Sequence, residues 1–252
     1  MPQKLSIPWL EPGDPFPATE RACPAETGME GLLAAGAQLT TERLLSAYSQ
    51  GIFPWFSEGQ PILWWSPNPR MVLPLASFRF HRSLRQTIKR WQHCGEYRLS
   101  LDEAFESVIR CCATTPRQGQ AGTWIVPEMQ AAYAQLHREG HAHSLEVWRH
   151  GQLVAGLYFV NIGQALFGES MFAHERDASK VALCALVSVA RAQGASWIDC
   201  QQNTAHLASM GAAPMPRHQF EALLRQARDK PPLQWDRRWL YWDHILQLPR
   251  PA

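Results

Sequence analysis

Along most of the chain, apolar positions recur at helical or strand spacing, and the period changes part-way. Between Leu39 and Gln50, the residues Leu44, Leu45 and Tyr48 fall on one side of a short predicted helix, with Thr40 or Thr41 placed to cap it. From Ser77 to Trp91, Phe80, Leu84, Ile88 and Trp91 share one face of a second helix. Leu101 to Cys112 reads as a third, through Leu101, Phe105, Val108, Ile109 and Cys112. After a predicted loop from Thr114 to Gly122, Pro127 opens a fourth, with Met129, Ala132, Tyr133 and Leu136 in one stripe and Gly140 at its close. The spacing then shortens to two. His143 to Arg149, Leu153 to Val160 and Ala165 to Phe172 read as an antiparallel meander, divided by turns at His150-Gly151 and Asn161–Gly163. Ala178 to Gln193 is apolar almost all round, which predicts a buried helix with Asp177 as its N-cap and Gly194 as its stop. A strand from Ser196 to Cys200 and helices over Thr204 to Met210 and His218 to Arg228 follow. This order predicts an α+β architecture, with helices layered on a mixed sheet.

One stretch fits neither period. It runs Tyr48-Ser-Gln-Gly-Ile-Phe-Pro-Trp-Phe56 and then Ile62-Leu-Trp-Trp-Ser-Pro-Asn-Pro-Arg70. Gly51, Pro54, Pro67 and Pro69 exclude a helix, and prolines are not tolerated in a central strand. Bulky aromatics on stiff, turn-rich backbone build platforms for flat ligands such as nucleobases. The same residues can equally plug the flank of a domain. With the preceding Gly28–Gly36 segment they predict a small N-terminal domain, residues 1–70, ahead of a larger one over residues 71–252.

Composition narrows the picture in a few places. A hydrophobic content of 46% is ample for a core, and a net charge of +2 gives no global attraction for a polyanion. Yet no acidic residue stands between Gly59 and Gly95, and Arg79, Arg82, Arg85 and Lys89 fall opposite the apolar face of the second helix. That cationic stripe is either a phosphate-binding face or a solvated one. The six cysteines show no CxxC pair, and no apolar run is long enough to span a bilayer. The N-terminus carries no secretory pattern, so a reduced, cytoplasmic protein without membrane contact is expected.

Polar groups interrupt the apolar strands twice. Glu169 lies within Phe167-Gly-Glu-Ser-Met-Phe172, and Asp199 and Gln201 lie two apart at the end of a strand, a spacing that predicts one shared face. A carboxylate beside an amide, near a second carboxylate, can bind and orient an amine. The competing reading is a buried hydrogen-bonding cluster, or an ion pair with Lys180 or Arg176. His143 and Glu146 fall on opposite faces of their strand, which argues against a metal site, and Ser170 lacks the context of a nucleophile.

Several stretches together resemble the leucyl/phenylalanyl-tRNA–protein transferase family: Gly31-Leu-Leu-Ala-Ala-Gly36, the two aromatic runs above, Gly122-Thr-Trp-Ile125, Gly140-His-Ala-His-Ser-Leu-Glu-Val-Trp148, Gly168-Glu-Ser-Met-Phe172, Ala178-Ser-Lys180, and Asp199-Cys-Gln201 with His206. Ala37 and Phe159 stand where the family has glycines, departures expected to touch loop or pocket shape. The resemblance implies a small domain on a GNAT-like acyltransferase domain, and transfer of Leu or Phe, more weakly Met, from aminoacyl-tRNA to the α-amine of N-terminal Arg or Lys of proteins, marking them for degradation. It implies no cofactor, and a monomer is expected. The GNAT cradle for the pyrophosphate of coenzyme A falls here on Glu175-Arg-Asp-Ala-Ser-Lys180, which has no glycine. By the same resemblance, Asp199 and Gln201 are the catalytic pair and Glu169 supports them. Trp55 and Trp124 clamp the terminal adenosine, with Tyr48 and Tyr133 nearby. Leu157, Leu166, Met171, Leu183, Leu186 and Ile198 receive the aminoacyl side chain, while Arg79, Arg82, Arg85 and Lys89 track tRNA phosphates.

Overall fold

The structure, a computed structural model, describes residues 6–116, 124–236, 238 and 240–249. The predicted loop from Thr114 to Gly122 and the Gly122-Thr123 part of its motif lie largely outside the described residues.

Two mixed sheets carry the fold. The smaller has the order β1 (Trp9–Leu10), β2 (Leu32–Gly36), β4 (Leu63–Trp65), β3 (Phe53–Pro54). The proline-rich aromatic segment therefore does form strands, but they are two or three residues long. Pro54 sits on the edge strand, where a missing N–H is harmless. Helix α1 (Thr41–Tyr48) leads into this segment, and the Thr40 hydroxyl accepts from the Arg43 amide at 3.2 Å, as the sequence predicts for its cap.

The larger sheet has the order β11 (Ala213–Met215), β5 (Arg70–Pro74), β10 (Trp197–Gln201), β9 (Ala165–Ala173), β8 (Gln152–Ile162), β7 (Ala142–Arg149), β6 (Tyr97–Leu101). β7, β8 and β9 form the predicted antiparallel meander, and β10 joins β9 in parallel, which makes the sheet mixed. The α+β class expected from the sequence is the one observed.

The periodicity does not predict strands β5 and β6. β5 follows Pro69 and ends on Pro74, and these prolines hide four buried residues, Arg70 to Leu73. β6 takes Leu101 out of the predicted third helix. Asp102, at φ 58°, ends the strand, and α3 (Phe105–Thr114) starts beyond it. α2 (Arg82–Cys94) starts later than predicted, after a turn at Leu75–Ser77, but Leu84, Ile88 and Trp91 are buried as expected. α5 (Ala178–Ala192) is buried along nearly its whole length. Asp177 does not cap it. Its backbone is left-handed (φ 66°) and its carboxylate turns to Lys180 at 2.9 Å.

Helix α5 packs on one face of the large sheet, with α2 and α8 (Trp242–Leu246) beside it. On the other face lie α3, α4 (Pro127–Arg138) and α7 (Arg217–Arg228). That second core is continuous with the small sheet: Leu33, Tyr48, Ile52 and Trp64 belong to the same buried cluster as Val108, Tyr133, Phe167 and Phe220. Phe159, one of the two departures from the resemblance, is buried in the first core against Trp235, with ring centroids 4.6 Å apart.

Close backbone approach fixes the loop after α6 (Ala205–Ser209). Gly211, at φ 104°, lies so near the Leu75–Ser77 turn that an added Cβ would stand 2.1 Å from the Ser77 carbonyl oxygen. Gly211→Ala is expected to cost at least about 2 kcal/mol, because neither backbone can yield without breaking its hydrogen bonds. A chemical-denaturation midpoint unchanged by the substitution would contradict this packing.

Candidate active site

Strands β9 and β10 keep register only at Phe167–Asp199, and beyond that pair their residues line a cavity of about 630 Å³. Its apolar wall comes from Leu157 on β8, Met171 on β9, Leu183 and Leu186 on α5, and Ile198 on β10. At its rim stand Phe53, Pro54, Trp55 and Trp124, and its polar residues include Glu169, Gln201, Thr204 and His206.

The two rim tryptophans are half-buried. Trp55 is held by its backbone: its N–H donates to Leu63 O at 2.9 Å, and its carbonyl accepts from the Trp65 indole at 2.6 Å. The rings of Trp55 and Trp65 meet edge to face at 5.3 Å. Trp64, fully buried, donates from its indole to Gly36 O at 2.9 Å and ties the segment to β2. The aromatic stretch thus plugs the domain with Trp64 and leaves Trp55 at the opening of the cavity.

Asp199 and Gln201 do not share a face. Ile198 and Cys200 point into the cavity, so Asp199 points away, and its carboxylate is buried against Arg70. Arg70 Nε and Nη2 donate to its two oxygens at 2.8 and 2.6 Å, and the guanidinium lies between the rings of Phe53 and Phe220 at 4.7 and 4.8 Å. Arg70, rather than Lys180 or Arg176, is the partner of this carboxylate. A bulge follows Asp199, and Gln201 takes φ 55°, which swings its side chain round into the cavity. The Gln201 N–H donates back to Asp199 Oδ1 at 2.9 Å, so the buried carboxylate holds the turn that presents the amide.

Glu169 receives that amide. Gln201 Nε2 donates to Glu169 Oε1 at 3.0 Å. Tyr48 and Tyr133 complete the group: the Tyr48 hydroxyl donates to Oε1 at 2.7 Å, the Tyr133 hydroxyl to Oε2 at 3.1 Å, and the two hydroxyls touch one another. Both tyrosines are fully buried, so neither is part of an adenosine clamp; they are the supports of Glu169. Burial pushes the Glu169 carboxyl up from 4.5 to about 7, against the two tyrosine hydrogen bonds, which favour its anion. Burial and the neighbouring Glu169 carboxylate drive both phenols well above their usual range, so they stay protonated. His206 is lowered by burial and by Lys180.

The profile of the leucyl/phenylalanyl-tRNA protein transferase family matches residues 72–225, and that of its N-terminal domain matches residues 37–68. A leucyl/phenylalanyl-tRNA–protein transferase of Polaromonas sp. (strain JS666 / ATCC BAA-500) is 53% identical over 246 residues, 98% of this chain and 96% of that one. The chain belongs to this transferase family. A second relative of the same name, from Leptothrix cholodnii, is 56% identical over 234 residues, 91% of each chain. Among solved structures, FemX aligns over 74% of this chain and 71% of its own at 12% identity and a TM-score of 0.45.

Most of the residues expected of a Leu/Phe-tRNA–protein transferase converge on the one cavity: Trp55, Trp124, Glu169, Gln201, Leu157, Met171, Leu183, Leu186 and Ile198. Leu166 does not; it is fully buried in the core on the α5 side of the sheet. Arg85 departs from the cationic stripe, since its guanidinium donates to the carbonyl oxygens of Leu246 and Leu248 and lies over Phe80. Arg79, Arg82 and Lys89 are exposed, Arg79 just ahead of α2 and the other two on it. Arg70, which holds Asp199, has no expected role from the sequence, where it shows only as a lone charge in an apolar stretch between prolines. Phe53, Cys200, Thr204 and Leu207 also line the cavity.

The raised carboxyl of Glu169 has a measurable sign. Between about pH 4.5 and about pH 7 the folded chain keeps a proton that the unfolded chain has released, so ionising this group costs stability as pH rises through that window. Glu169→Gln removes the cost. Its melting temperature is expected to gain on the parent from about pH 5 to about pH 8 and to stay level beyond; a constant difference would show a carboxyl with an ordinary pKa.

Proposed function

We propose that this chain moves leucine or phenylalanine, and methionine more weakly, from the 3′ end of tRNA to the α-amine of an N-terminal Arg or Lys, marking the acceptor for degradation. It acts in the cytoplasm as a monomer. One observation carries this reading: paired indoles, an apolar slot and a carboxylate–amide pair open onto a single cavity. Trp55 and Trp124 receive the terminal adenosine, since every base has a face to stack. Leu157, Met171, Leu183, Leu186 and Ile198 then surround an aminoacyl side chain, and an apolar slot of this kind selects by shape.

The donor ester is already activated, so the reaction needs an oriented, neutral amine rather than a covalent enzyme intermediate. An α-amine titrates near about 8, so a useful neutral fraction exists at neutral pH. Gln201 orients it. With its NH₂ group engaged by Glu169, the amide oxygen is the acceptor for an amine N–H. Asp199 is a positioning residue, because it is buried on Arg70 and reaches the cavity only through the Gln201 turn. A coenzyme A donor is disfavoured on chemical grounds. The turn before α5 has no glycine to admit a pyrophosphate, and it carries the Asp177 carboxylate, already paired with Lys180.

Incubation with radiolabelled Leu-tRNA and a peptide beginning with Arg is expected to label the peptide. Protection of the protein by coenzyme A with no labelling would favour an ordinary N-acyltransferase instead. Two classes of variant should separate. Trp55→Ala and Trp124→Ala are expected to weaken aminoacyl-tRNA binding by roughly tenfold to a hundredfold, the worth of one stacked base. Gln201→Ala should leave that binding intact and cut the transfer step at least about a hundredfold.

The exposed cations give a further test. Reversing charge at Arg82 and Lys89 together should flatten the dependence of tRNA affinity on log salt by about one for each phosphate that is no longer neutralised. An unaltered slope would return this helix face to plain solvent exposure.

A further inference from the structure

The hydrogen bonds around Glu169 ask for more protons than the tyrosines hold. Tyr48 Oη touches both Tyr133 Oη and Glu169 Oε1, and Tyr133 Oη touches Glu169 Oε2, which makes three oxygen–oxygen pairs in a closed ring. A phenol contributes one proton, so two tyrosines fill two of the three. With Glu169 ionised, one pair lacks its hydrogen; with Glu169 protonated, the ring is complete. Gln201 brings its own hydrogen to Oε1 from the cavity side. Both tyrosine side chains are wholly buried, so bulk water does not make up the shortfall.

Resting on the function proposed above, we propose that Glu169, Tyr48 and Tyr133 work as one proton-sharing unit. Glu169 takes the proton that the acceptor amine gives up, and the tyrosines are positioning residues that hold its carboxylate ready. The nitrogen lone pair attacks the ester carbonyl carbon, the C–N bond forms, and the bond from that carbon to the ribose 3′ oxygen breaks. The amine proton passes to Glu169 and from there to the departing 3′ oxygen, so the step closes with no net proton change and no redox partner. Glu169 is suited to this exchange because its carboxyl, at about 7, binds and releases a proton near neutrality. The groups that act on it are Tyr48 from α1, Tyr133 from α4, Gln201 and Asp199 from β10 and Arg70 from β5, while Tyr158 of β8, Cys200 of β10 and His206 of α6 line the same cavity. Asp199 raises the carboxyl and Arg70 lowers it. Burial keeps the Cys200 thiol protonated, so it does not compete.

The test is single-turnover transfer from radiolabelled Leu-tRNA to an Arg-peptide, from about pH 6 to about pH 9, for the parent, Tyr48→Phe, Tyr133→Phe and Glu169→Gln. The ratio of parent to variant rate cancels the titration of the peptide amine itself. Losing one donor lifts the carboxyl by about one pH unit, so each Phe variant should be nearly tenfold slower at about pH 6.5 and within about 1.5-fold of the parent at about pH 8.5. Glu169→Gln should be slow throughout. Ratios that stay flat with pH in both Phe variants, with melting temperatures intact, would make the tyrosines packing residues and overturn the proposal. So would a Glu169→Gln enzyme as fast as the parent. A parent that moves no leucine at any pH defeats the functional reading instead. In that case, or if a Phe variant does not fold, infrared titration of the Glu169 carboxyl in the remaining variants still decides the sharing: an upward shift supports it, and an unmoved carboxyl ends it.

Discussion

The buried pair of Arg70 and Asp199 is the constraint on which the site rests. It joins β5 and β10, and the two rings that enclose the guanidinium come from the small sheet and from α7. Such a pair adds little net stability, because desolvation offsets attraction; removing one partner costs about 3–5 kcal/mol, because the other is stranded. What the pair supplies is position. Asp199 is pinned by two guanidinium hydrogen bonds, and its first oxygen also takes the Gln201 amide hydrogen. The left-handed turn at Gln201 is held in place by a charge that never meets the cavity.

Glu169 shows the opposite arrangement. Its carboxylate borders the cavity but is held by groups from three different elements, α1, α4 and β10. The hydrogen bonds favour the anion and burial opposes it, and burial prevails. Two neighbouring carboxylates are thus kept in different conditions by their surroundings. Asp199 has a full cationic partner, and Glu169 has only neutral donors.

Periodicity made the meander, the buried α5 and the apolar slot legible, since each is built from residues repeating at two or near four. It misread three places where local geometry overrides the repeat. Pro69 and Pro74 concealed β5 and with it Arg70. Asp102 at positive φ cut a helical-looking run into a strand and a helix. The bulge after Asp199 broke the rule that residues two apart face alike. The resemblance brought out most of the residues that meet at the cavity, but how they are bonded there was not visible in it. Tyr48 and Tyr133 hold Glu169 rather than a base, and Arg85 holds backbone carbonyls rather than phosphate. Such roles depend on which hydrogen bonds close, and side-chain spacing carries no record of them.

The rim and the slot belong to different cores. Trp55 packs against the cluster shared with the small sheet, whereas Leu157, Leu183, Leu186 and Ile198 belong to the cluster around α5. A lineage can therefore reshape the apolar chamber, one methylene at a time, while the packing of Trp55 at the rim stays as it was. Divergence in the width of that chamber is open to point substitution on α5 and β8, with the tryptophan end of the cavity left out of the change.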